Sequence, residues 1–277
     1  MLQRRDFLKG LGLTGAGLGL GLLDPSQLLA AAPATPRNTS FLQWVSTQPQ
    51  VASRFSFCVM GDNRPNTKTF DKIAARTNGL RPAFNIHVGD IVNNGTVAQW
   101  DLVSPSLQAF AAPMIGTLGN HDRYLAGPKG IDMKLWGMEF GSGQWDFKVG
   151  GWHFVGFDTS MGHVNKQQQA WLETTLNDNM PTMVFTHYPP SIERWKCHAL
   201  YTGTTEFLAL LKKHTVEHLI VGHNHLYDEL QLGPTAGVIT GGAGSHLYKQ
   251  YGFGVLKHHV AHVAVEGLKA TVTMEPI

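Results

Sequence analysis

Phe55-Ser56-Phe57-Cys58-Val59-Met60-Gly61-Asp62-Asn63-Arg64 is an apolar run that breaks at a glycine onto an aspartate. With Ser56 as its one polar residue, the run does not alternate, which suits a strand covered on both faces. The same ending recurs further along. Phe84–Val88 leads into Gly89-Asp90, and Met114–Leu118 leads into Gly119-Asn120-His121-Asp122. Helical patterns over Thr69–Thr77 and Val97–Phe110 separate these three runs. The order is βαβαβ and the class is α/β. Met183–Thr186 then leads into His187, and His218–Val221 into Gly222-His223-Asn224-His225. Ligands bind α/β sheets beyond the carboxyl ends of the strands. Five strands, each followed at once by a carboxylate, amide or imidazole, therefore place those groups along one edge. Two Asp, one Asn and three His suit a borderline-hard divalent cation.

The rest of the chain fits one domain. Gly143–Val149 and Trp152–Phe157, joined by Gly150-Gly151, predict a hairpin with a type I′ turn. Gln167–Asn177 predicts a helix with Trp171, Leu172 and Leu176 on one face. Gly237–Thr240, Phe253–Val265 with a break, and Ala270–Met274 predict further strands. The 277 residues are 43% hydrophobic and 15% charged, which excludes an extended disordered chain. A formal net charge of +2 without a basic run argues against nucleic acid or acidic membrane as the main partner. Fourteen His against two Cys point to nitrogen and oxygen ligands. Cys58 and Cys197 make no disulfide framework.

The amino terminus has the layout of an address. Gln3-Arg4-Arg5-Asp6-Phe7-Leu8-Lys9 is a twin-arginine signature. A weakly apolar stretch, Gly10 to Leu23, follows and is too short to span a bilayer. Ala30-x-Ala32 and Ala32-x-Ala34 both supply small residues for cleavage. The expectation is a twin-arginine signal peptide over 1–32, a linker and N-terminal extension over 33–53, and the folded domain over 54–277. The twin-arginine (Tat) export machinery is then a partner, the location is periplasmic or secreted, and no stable membrane anchor is expected.

Asp62, Gly89-Asp90, Gly119-Asn120-His121-Asp122, His187 and Gly222-His223-Asn224-His225 occur in an order that resembles the calcineurin-like metallophosphoesterase superfamily. The spacings are similar too, with 28 residues from Asp62 to Asp90 and 30 from Asp90 to Asn120. Gln168–Leu176 resembles that family's Gln-x-x-Trp-Leu helix, and Gly241-Gly242-Ala243-Gly244 its loop after the last ligand pair. The resemblance covers roughly residues 54–275. It implies a four-layer αββα sandwich of two mixed β-sheets flanked by helices. It also implies two divalent transition-metal ions (Zn, Mn, Fe or Co) and a small phosphate-ester substrate.

By this resemblance Asp90 bridges the metals, Asp62 and His225 hold one, and Asn120, His187 and His223 hold the other. Two such ions bind phosphoryl oxygens, hold a bridging hydroxide as nucleophile and neutralise developing charge. His121 would touch the phosphate or protonate the leaving oxygen, with Asp122 holding its other nitrogen. One position departs from the pattern. Where the family often has a metal-binding His two residues after Asp62, this chain has Arg64. Arg donates only and cannot ligate. The expectation is that Arg64 binds the phosphoryl group or a second phosphate, the alternative being a guanidinium turned to solvent. The Tyr that some branches place three residues after the bridging Asp is Asn93 here; Asn93 or water could complete the first site.

Other residues admit two readings. Trp195, His198 and Tyr201 lie in the connection Pro189 to Thr204, which could roof the site or simply pack down. Trp136 offers a second wall, and Arg123 a phosphate contact or a surface charge. His246 could touch substrate. His87 is expected to be structural, and His258, His259 and His262 to be surface or sheet residues. Two functions remain: an exported dinuclear phosphoesterase acting on mono- or diesters, or a non-catalytic or single-metal phosphate-binding protein on the same fold.

Overall fold

The computed structural model describes residues 35–48, 53–125 and 131–277. The leader read over residues 1–32 lies outside the described residues. The chain starts with α1 (Arg37–Ser46), then β1 (Arg54–Met60), α2 (Thr67–Leu80), β2 (Phe84–His87), α3 (Val97–Gln108) and β3 (Met114–Gly116). A short ribbon of β4 (Tyr124–Leu125) and β5 (Ile131–Asp132) precedes α4 (Lys134–Glu139). Next come β6 (Trp145–Val149), β7 (Trp152–Gly156), α5 (Lys166–Thr175), β8 (Thr182–Thr186), α6 (Thr204–Lys213) and β9 (Val216–Val221). The chain closes with β10 (Tyr227–Leu232), β11 (Thr235–Thr240), β12 (His259–Glu266) and β13 (Lys269–Pro276).

One sheet has the order β13-β12-β1-β2-β3, the other β10-β11-β9-β8-β7-β6. Both are mixed. β1, β2 and β3 run parallel while β12 pairs antiparallel to β1 and β13. β7, β8, β9 and β11 run parallel, flanked by antiparallel β6 and β10. The inner faces meet through aromatic rings. Phe57 and Phe84 of the first sheet stack at 5.0 Å, Phe147 and Phe154 of the second at 4.8 Å, and Phe84 meets Phe154 edge-on at 5.5 Å. Such offset and edge contacts suit the ring quadrupole. On the outer faces α2 and α3 bury Phe70, Ile73 and Trp100 against the first sheet, and α5 and α6 bury Leu172 and Phe207 against the second. Four layers result, α/β/β/α. The hairpin turn has φ of 59° at Gly150 and 84° at Gly151, the pair that a type I′ turn requires. α5 begins on a capping box between Asn165 and Gln168.

Several elements differ from the expectation, among them the short ribbon and α4 within 124–140. Arg37–Ser46, inside the stretch read as linker, is a helix whose Phe41 and Val45 lie one turn apart and enter the inter-sheet core. β12 begins only at His259, and β10 was not anticipated. Asn38 fixes α1 to β3. Its Nδ2 donates to the carbonyls of Gly116 at 2.9 Å and Ser142 at 2.8 Å, and its Oδ1 accepts from Gly116 N at 2.8 Å. Asn38→Ala strands these buried backbone groups and is expected to cost about 2–3 kcal/mol. Urea unfolding reads this as a lower midpoint at unchanged slope, and an unchanged midpoint would show that α1 is not part of the cooperative core. Among the described residues no helix is long and apolar enough to cross a membrane, and Cys58 and Cys197 are both free.

Candidate metal centre

β1, β2, β3, β8 and β9 all end at the same edge. The loops beyond them bring Asp62, Asp90, Asn120, His187, His223 and His225 together. Tight crossing of the loops depends on glycine. A Cβ on Gly119 would lie 2.2 Å from Asp90 N, and one on Gly222 would lie 2.7 Å from Asp62 Oδ2. Asp62, Asp90 and His223 adopt φ of 63°, 59° and 66°, which is uncommon outside glycine.

Two clusters share Asp90: Asp90, His187 and His223, and Asp62, Asp90 and His225, each with its donor atoms within 4.8 Å of one another. In the first, His187 Nε2 lies 3.1 Å from Asn120 Oδ1, 3.3 Å from Asp90 Oδ1 and 3.1 Å from His223 Nδ1. The Val88 carbonyl, 2.7 Å from His187 Nδ1, takes the proton of that nitrogen and leaves Nε2 for the cluster. Burial would lower His187, but the Asp90 carboxylate bonded to it, with Asp62, raises it to about 9. Burial and the neighbouring His187 keep His223 well below the usual imidazole range. So much lone-pair density at one point calls for a proton or a cation. In the second cluster, the His246 carbonyl takes the Nδ1 proton of His225 at 2.7 Å. His225 Nε2 and Asp62 Oδ1 are then 3.5 Å apart, and both are buried without a hydrogen-bond partner. Buried polar atoms are rarely left so. The donor set fits two divalent ions sharing one carboxylate. Burial opposes ionisation of Asp90, yet His187, Arg64 and His121 around it hold its carboxyl well below the usual range.

Arg64 is not turned to solvent. Its Nε donates to Asp90 Oδ2 at 2.7 Å and its Nη1 to Asn93 Oδ1 at 2.9 Å. Asn93 is thus engaged by Arg64. Contrary to the expectation, Asp122 does not hold His121. The Asn93 carbonyl lies 2.7 Å from His121 Nδ1 and takes that role. Both oxygens of Asp122 instead accept backbone N–H groups: Asp90 at 2.9 Å, Ile91 at 2.7 Å, Val92 at 3.1 Å and Gly119 at 2.8 Å. Burial and the Asp90 carboxylate push Asp122 up to about 7 while these amides pull it down. His121 N donates to Asp90 Oδ1 at 2.9 Å.

The Gly-rich loop is tied along the Asp62 loop, with Ala243 N on Gly61 O at 3.0 Å and Ser245 N on Asp62 O at 2.8 Å. Trp195 does not roof the site. It is buried, and its Nε1 donates to Asp228 Oδ2 at 2.7 Å. Trp136 is no wall either; it stacks on Phe140 in the core. Tyr201 is 71% exposed and lies 6.0 Å from Tyr188, and the His198 ring lies 5.8 Å from His223. Arg123 is buried beside Asp158 and Tyr188. His87 holds Asn63, with Nε2 2.9 Å from Asn63 Oδ1, and His259 is buried against Thr240. Two residues were missed. Tyr188 stacks on His223 at 3.8 Å, a position that its adjacency to His187 signals. Tyr248 stacks on His225 at 4.3 Å, without any sequence signal.

A family model described as calcineurin-like phosphoesterase matches residues 55–227. A Synechococcus protein described as a probable cyclic nucleotide phosphodiesterase is 25% identical over 50% of this chain and 55% of its own. A protein from Arcobacter nitrofigilis described as a probable glycerophosphodiester phosphodiesterase is 27% identical over 52% of this chain and 57% of its own. The chain thus spans about half the length of these curated relatives. A purple acid phosphatase from yellow lupin seeds has the same fold, at a TM-score of 0.67 and 14% identity over 82% of this chain and 52% of its own. A model that matches most of the domain, on a sandwich whose strand ends converge on one shared carboxylate, places this chain in the calcineurin-like phosphoesterase family.

Proposed function

We propose that the chain is an exported, metal-dependent phosphoesterase acting on phosphate mono- or diesters. The observation that carries this reading is the pair of donor clusters sharing Asp90. Ions held there would supply positive charge for the phosphoryl oxygens and acidify a water. The chain's own residues then orient and move protons. Asp62 Oδ2 accepts His223 N at 2.8 Å and locks two ligand loops together. Val88 and His246 fix the His187 and His225 tautomers. His121 is held at Nδ1 by the Asn93 carbonyl; burial lowers it and Asp90 raises it, and as the imidazolium it would carry at Nε2 the proton that the leaving oxygen takes. The phosphodiesterase names of both curated relatives support the diester arm, and the twin-arginine leader supports export.

Metal analysis beside a panel of mono- and diesters tests the reading. No hydrolysis by fully loaded protein would overturn it. The Arg64–Asp90 contact supports a second reading, a single-metal protein, because a guanidinium already meets one oxygen of the shared carboxylate. One equivalent of metal without turnover would select that reading. His121→Ala should keep its metal and lose at least about 10²-fold in kcat, within the usual range for a positioned acid or base. Loss of metal in that variant would make His121 a ligand instead.

A further inference from the structure

Beside the metal centre the surface opens into a cleft of about 470 Å³. Arg64, Asn66, Ser245, His246, Lys249 and His258 line it, and no carboxylate does. Arg64 spans the two places, since it lines this cleft while its Nε rests on Asp90 Oδ2 at 2.7 Å. Its Nη2 has no partner among the described residues. Lys249 is exposed and makes no ion pair among the described residues. His258 Nδ1 donates to the Gly242 carbonyl at 3.1 Å, which fixes the ring at the cleft wall. The cleft wall is also the wall of the metal site. The His246 carbonyl accepts from His225, and Ser245 Oγ donates to the Arg64 carbonyl at 2.7 Å. Arg64, matched by Asp90 at Nε alone, and Lys249 thus face a cleft whose lining holds no carboxylate, one guanidinium away from the shared Asp90.

We propose that this cleft binds a second phosphate carried on the alcohol part of the substrate, so that phosphate esters bearing a second phosphate are the preferred class. The inference rests on the phosphoesterase reading. An Arg edge suits two phosphate oxygens, and Lys adds a point charge.

The test uses pairs of alkyl esters of three to six carbons that share one chain and differ only in a terminal phosphate. Each pair is offered as monoesters and as methyl diesters to the metal-loaded protein. Hydrogen bonds to charged groups predict a preference of at least about tenfold in kcat/KM for the doubly phosphorylated member, expressed mainly in KM. Lys249→Ala should reduce that ratio, and Lys249→Arg should restore it. No preference in the parent, or the same ratio in all variants, overturns the proposal. Should nothing be hydrolysed, the phosphoesterase reading fails on its own. Calorimetric titration with hexane-1,6-bisphosphonate then decides the cleft: binding weakened by Lys249→Ala upholds it, and absence of binding overturns it.

Discussion

Asp90→Ala is expected to remove metal from both clusters and lower activity at least about 10⁴-fold, roughly 5 kcal/mol of transition-state stabilisation. Asp90 is the one residue common to both groups of donors. Its Oδ1 faces His187 Nε2 at 3.3 Å, and its Oδ2 holds Arg64. The substitution takes the shared anion away and strands a guanidinium that is 11% exposed. A largely buried charge that has lost its anion is costly, and Arg64 would keep only its bond to Asn93, so part of the damage comes through Arg64. The double variant Asp90→Ala/Arg64→Ala separates the two effects. It should recover thermal stability and still bind little metal. Asp90→Asn keeps the shape and loses the charge, and should fall between. Elemental analysis and ester turnover read all three. Parental metal content and rate in Asp90→Ala would sink the shared-carboxylate arrangement.

Asp122→Ala is expected to destabilise the protein by about 4 kcal/mol or more. It leaves the N–H groups of Asp90, Ile91, Val92 and Gly119 without their acceptor. An unsatisfied buried donor costs about 1–3 kcal/mol, and relaxation recovers only part of four such losses. Asp122→Asn keeps one accepting oxygen and should lose about half as much. Denaturant unfolding of metal-free protein isolates this effect from ligation. A loss below about 1 kcal/mol in Asp122→Ala would show that the loop does not depend on this carboxylate.

The cluster of donor residues was legible because each donor travels with its own strand end. Gly89-Asp90, Gly119-Asn120 and Gly222-His223 are local patterns whose glycines permit the turn. What decides the second nitrogen of each histidine was not legible. His187, His225 and His121 are held by the backbone carbonyls of Val88, His246 and Asn93. Every residue has a carbonyl, so no residue type announces that role. Asp122 was visible as a residue, but its partners depend on how two loops cross. α1 escaped notice because it follows Pro36 and carries only a short apolar stripe; its stability comes from Phe41 entering a core assembled by distant strands. β10 is an outer strand carrying Asp228, Glu229 and Gln231, a composition that reads as loop.

The left-handed backbone at Asp62, Asp90 and His223 has an evolutionary consequence. Each such residue costs about 1 kcal/mol or more relative to an unstrained conformation. Glycine would relieve the backbone at all three positions, but at 62 and 90 it would also leave the N–H groups of His223 and His121 without their acceptors. Only at His223 do backbone ease and ligation select different residues. A descendant freed from selection on catalysis would keep this sandwich, hold its two aspartates as loop ties, and lose the imidazole at 223 first.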